Sequence, residues 1–78
     1  MVMISYVCTG SSEEDLRQLC REIEACTRVR AAYRMLPGGI RARLELSAST
    51  KSEIGEALPF LDRCIEEGHT IERFQPRR

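Results

Sequence analysis

The sequence holds little with which to stack, coordinate or span. Its 78 residues include no Trp and only four aromatic side chains, Tyr6, Tyr33, Phe60 and Phe74. Any core must therefore rest on Leu, Ile, Val, Met and Cys. A domain of this size buries only about two thirds of its unfolded surface, and such thin cores are often completed by a partner chain. There is one His, His69, with no Cys or carboxylate pattern around it that would make it a ligand. The four cysteines, Cys8, Cys20, Cys26 and Cys64, show no C-x-x-C spacing. No apolar run approaches a membrane span. The apolar start, Met1 to Cys8, has no basic flank and is too short for a secretory signal. These absences lead us to expect a cytoplasmic protein with reduced thiols, no metal, no cofactor and no membrane partner.

What is present is periodic. Val2, Ile4, Tyr6 and Cys8 alternate with Met3, Ser5 and Val7, which predicts a strand with two largely apolar faces, suited to the middle of a sheet. Thr9-Gly10 breaks it. Ser11 and Glu14 have capping-box spacing, and Glu13, Glu14 and Asp15 favour the positive end of a helix dipole. Leu16, Leu19, Cys20, Ile23 and Cys26 then form one helical stripe, predicting a helix from Ser12 to Cys26.

After Cys26 the period changes to two. Val29, Ala31, Tyr33 and Met35 alternate with polar residues, as do Ile40, Ala42, Leu44 and Leu46. Between them, Pro37-Gly38-Gly39 has the chemistry of a type II turn or a slightly longer loop, so the pair predicts a hairpin. Thr50 and Glu53 have the spacing of a second capping box. Ile54, Ala57, Leu58, Leu61, Cys64 and Ile65 give a second helical stripe. Pro59 lies within it, opposite Gly55, and predicts a kink in one helix rather than two helices. Gly68 is a natural helix stop. Thr70 to Gln75 has the polarity of an edge strand, and residues 76–78 read as a loose tail behind a single domain over residues 1–75.

Strand, helix, hairpin, helix, strand has a natural α+β solution. Two right-handed β-α-β crossovers place both helices on one face of a four-stranded antiparallel sheet. In this ferredoxin-like sandwich the first and third strands are central. The β-α-β-β-α-β order, with Ile40-Arg41-Ala42-Arg43-Leu44-Glu45-Leu46 leading into the second helix and Glu56-Ala57-Leu58-Pro59-Phe60-Leu61 within it, resembles small regulatory domains of the ACT and NIL type. That resemblance implies pairing through sheets or helices and a small ligand at the interface. It transfers no ligand residue.

The charges then sort by surface. Eleven of the twelve cations are Arg. If the apolar hairpin residues face the helices, Arg28, Arg30, Arg34, Arg41 and Arg43 point to the open side of the sheet, with Glu45 the only acid among them. The hairpin region is net positive, whereas each helix carries more Asp and Glu than Lys and Arg. One reading is that exposed strand positions simply need polar residues. A second is a protein interface, with another copy of the chain or a different protein as partner, since Arg is favoured at interfaces. A third is a nucleic-acid surface, but sheets that bind RNA stack bases on aromatics, which this face lacks. A fourth possibility is a small antagonist whose acidic helices or basic sheet dock on a larger complex.

For chemistry, cysteine is the only invitation. All four thiols fall at positions expected to be apolar, where Cys acts as a small hydrophobe. Cys8, just before a helix N-terminus, is the one whose thiolate could be stabilised. His69, after Gly68, is expected at the surface, near the negative end of the second helix. The turn Cys8-Thr9-Gly10-Ser11-Ser12 could hold an anion on its N–H groups, although capping accounts for its residues. The sequence therefore predicts a non-enzymatic regulatory or interaction module working through the five hairpin arginines.

Overall fold

The structure, a computed structural model, describes residues 1–73. The elements run β1 (Val2–Thr9), α1 (Glu13–Cys26), β2 (Arg30–Met35), β3 (Arg41–Ala48), α2 (Lys51–Ile54), a 3-10 turn (Gly55–Ala57), α3 (Leu58–Glu66) and β4 (Thr70–Arg73). The sheet order is β2-β3-β1-β4, every neighbouring pair antiparallel. This is the ferredoxin-like α+β sandwich: β1 and β3 lie inside, β2 and β4 at the edges. Residues 74 and 75 of the expected last strand, and the expected 76–78 tail, lie outside the described residues.

Period-two alternation fixes which side chains enter the core. Cys8, Ala42, Leu44, Leu46 and Ala48 point from the sheet into the helix layer, where they meet Leu16, Leu19, Cys20, Ile23, Ile54, Ala57 and Leu61. Leu44, Leu46, Ile23 and Ala57 have no accessible surface. Burying one such aliphatic side chain is worth roughly 2 kcal/mol.

The helix starts follow the capping logic with one shift of a residue. For α1 the cap is Ser12 rather than Ser11, and its reciprocal partner is Asp15 rather than Glu14: Asp15 N–H donates to Ser12 Oγ at 3.1 Å, and Ser12 N–H donates to Asp15 Oδ2 at 3.2 Å. The same exchange closes between Thr50 and Glu53 at the start of α2. At the other end, Gly68 takes φ +99°. His69 N–H bonds to Cys64 O and Gly68 N–H to Ile65 O, each at 3.1 Å, a Schellman closure of α3.

The helix around Pro59 differs from the expected simple kink. It divides into α2 and α3, joined by the 3-10 turn. The cause is local. Pro59 has no N–H to give Gly55 O, so the Leu58 N–H supplies that carbonyl instead, tightening the chain by one residue. Pro59 then sits in the first turn of α3, where a missing N–H costs nothing.

In the hairpin, Gly39 N–H donates to Leu36 O at 3.2 Å across Pro37-Gly38, and Gly38 has φ +98°. These are the marks of a type II turn. Gly39, also at positive φ, hands the chain to Ile40, and Leu36 N–H closes the loop onto Arg41 O at 2.9 Å.

Candidate interaction face

The helices all cover one side of the sheet, and among the described residues nothing covers the other. Strand register arranges its side chains in cross-strand rows. One row runs Arg30, Ser47, Met3, and the next Ala32, Glu45, Ser5. The third crosses the whole sheet as Arg34, Arg43, Val7, Glu72, and a fourth continues as Arg41, Thr9, Thr70. Arg30, Arg34 and Arg41 are exposed, and Arg43 is half-buried between its neighbours. Met3, on a central strand, is 62% exposed. It lines a shallow depression together with Arg30, Ala32, Glu45 and Ser47.

Four of the five arginines singled out from the sequence share this face. Arg28 does not. The Thr27 hydroxyl donates to Ile23 O at 2.6 Å and accepts from Val29 N–H at 3.0 Å, which bends the chain before the strand begins at Arg30. Arg28 N–H then donates to Glu56 Oε1 at 3.3 Å, and the guanidinium lies 3.6 Å from Glu53. Arg28 thus belongs to the joint between β2 and α2.

Glu72 also belongs to the face, although the charge pattern of the hairpin does not reveal it. Ile71 pairs with the buried Cys8, so Thr70 and Glu72 must point the other way, and Glu72 stands opposite Val7. The apolar Ile71 was the available signal. Glu45 is therefore not the only acid, and the two acids offset part of the arginine charge.

The face is divided lengthwise. All four arginines project from β2 and β3. The β1 and β4 half offers Met3, Ser5, Val7, Thr9 and Thr70, with Glu72 as its one charge among the described residues. The outer edge of β2 is partly closed, because Glu24 Oε2 accepts from Ala31 N–H at 3.0 Å.

The thiols lie on the other side of the sheet. Cys8 is 1% exposed and Cys20 is 8% exposed. Burial pushes each thiol up to about 11, with the neighbouring Cys64 and Cys20 adding to the effect at Cys8 and Glu24 adding to it at Cys20. The strand-to-helix turn therefore does not stabilise a Cys8 thiolate; burial outweighs the helix end. Burial likewise raises Cys64, with Glu67 contributing. Cys26, expected in the apolar stripe, is exposed at the last residue of α1.

His69 is not a free surface group. Its Nδ1 lies 3.0 Å from Ser11 Oγ and 3.3 Å from Gly10 O, tying the start of β4 to the turn before α1. That turn is also satisfied internally: bonds from Ser12 hold the Asp15 carboxyl below the usual carboxylate range, with His69 adding a smaller contribution. Between α1 and α3, Arg63 spans the surface groove, 3.7 Å from Glu22 and 5.4 Å from the Phe60 ring centre. Among the described residues, no three His, Cys, Asp or Glu side chains are grouped so as to hold a metal ion. No helix among them is long and apolar enough to cross a membrane.

No family model matches the chain, nor does any curated protein or solved structure.

Proposed function

We propose that this chain is a non-enzymatic protein-interaction module, that its working surface is the bare face of the sheet, and that its first partner is a second copy of itself. The observation that carries this reading is the composition of that face. An exposed Met3 and a half-exposed Val7 lie on the central strand β1, beside arginines on β2 and β3. Arginine stems pack on apolar surface while their heads keep polar partners. Met3, Val7 and the aliphatic stems of the arginines together make a mixed apolar and cationic face of the kind found at protein interfaces. The guarded β2 edge favours contact through the face over strand addition at that edge. The raised thiols and the structural bonds of His69 support a role without a nucleophile. Free thiols fit a reducing compartment. A regulatory role of the ACT or NIL type rests on element order alone, which many functions share.

Sedimentation over a concentration series tests the proposal. The wild type should form a dimer, and Val7→Arg, which sets a cation in the middle of the face among the other arginines, should weaken it strongly while leaving the far-UV circular dichroism unchanged. A strict monomer at millimolar concentration would remove self-association. A parallel titration with single-stranded oligonucleotide tests the nucleic-acid alternative. Tight binding that falls steeply with salt, and is lost when Arg30, Arg34 and Arg41 become Ala, would replace the protein-partner reading.

A further inference from the structure

The bare face is self-complementary in only one of its simple two-fold arrangements, and this extends the proposal above, on which it rests. Two sheets packed face to face lie about 10 Å apart with their strands within about 30° of each other. A two-fold axis between them can run across the strands or along them. An axis across the strands lays β2 and β3 of one copy over β2 and β3 of the other, setting four arginines against four. An axis along the strands, between β1 and β3, lays the basic half of each copy over the half that, among the described residues, presents no Arg to the face.

We infer that two copies associate back to back about the axis along the strands, so that Arg34 of each faces Glu72 of the other. The rows decide this pairing. Arg34 and Glu72 occupy opposite ends of one row. Three strand spacings, about 14 Å, separate them within a copy. Rotation about the central axis superposes the ends of that row. Both side chains are exposed, and among the described residues neither has an ion-pair partner of its own.

A second feature fits the same axis. It carries Met3 of one copy over Ser47 of the other, and Ser47 borders the depression beside Ala32. The exposed Met3 of each copy thus meets a residue that lines the depression of the other.

Charge reversal with mixing tests the geometry. Arg34→Glu and Glu72→Arg each place like charges at both symmetry-related contacts, and each should weaken the dimer about tenfold. Mixed together, the two variants restore opposite charges at both contacts, so the heterodimer should form at near wild-type affinity and exceed either homodimer in native mass spectrometry. Arg34→Glu combined with Glu72→Arg in one chain should also recover dimerisation. A wild type that dimerises and is disrupted by Val7→Arg, yet shows no heterodimer preference on mixing, overturns this axis and leaves the interaction face standing. A wild type that stays monomeric overturns both.

Discussion

Treating the native protein with a small alkylating reagent at pH 8 should sort its four cysteines by burial. The magnitude follows from ionisation first. A thiol at the ordinary value of 9.0 is about one tenth ionised at this pH, whereas one near 11 is about one thousandth ionised. Cys8 and Cys20 therefore offer roughly a hundredfold less thiolate than an unhindered cysteine. Steric exclusion slows them further, since they are 1% and 8% exposed while Cys26 is exposed at a helix end. Quenched time points read by peptide mass spectrometry should show Cys26 labelled first, Cys64 later, and Cys8 and Cys20 at least a hundredfold slower than Cys26. In concentrated urea the four rates should converge, because the barrier lies in the fold and not in the local sequence. Native labelling of Cys8 within tenfold of Cys26 would refute the burial argument and revive a reactive Cys8.

The same thiols make stability depend on alkaline pH. Between pH 9 and 11 the unfolded chain has lost these protons and the native protein keeps them, so stability is full below pH 9 and falls as pH rises, by at most about 3 kcal/mol for each of Cys8 and Cys20. Guanidinium midpoints at pH 8 and pH 10.5 measure it. Leu44→Ala should cost about 3 to 4 kcal/mol in the same assay, because Leu44 is wholly buried at the centre of the sheet. Ser12→Ala and Thr50→Ala should each cost about 1 kcal/mol through loss of a capping box. Pro59→Ala should change stability by roughly 0.5 kcal/mol or less, and a loss near 3 kcal/mol would contradict its place in the first turn of α3. Arg28→Ala should cost under about 1 kcal/mol and leave self-association unchanged, because its ion pair with Glu53 is solvent-accessible and remote from the bare face.

The sandwich was legible in the sequence because its signals agree across levels. The period change after Cys26, the Pro37-Gly38-Gly39 turn and the Thr50–Glu53 capping box each specify a local structure, and one topology satisfies all of them. The departures have local causes that alternation alone does not encode. Arg28 follows strand parity on paper, but the Thr27 hydroxyl bends the backbone before the strand starts. The split at Gly55 reflects which N–H could replace the one Pro59 lacks. Ser12 displaced Ser11 as the cap because either serine has an acid three residues on, and Asp15 is the one that closes the box. Glu72 depended on the pairing of a four-residue strand, whose register came from Ile71 meeting Cys8. His69 reached across to Ser11 over a separation in sequence that no local pattern reports.

The bare sheet face as a working surface is tested most directly by backbone amide shifts followed through a dilution series of isotope-labelled protein. The account predicts concentration-dependent shifts gathered on Met3, Ser5 and Val7 of β1, on Arg30 to Arg34 of β2, and on Arg43 to Ser47 of β3, with α1 and α3 unmoved. Shifts gathered instead on the helices, or none across the accessible concentrations, would contradict it.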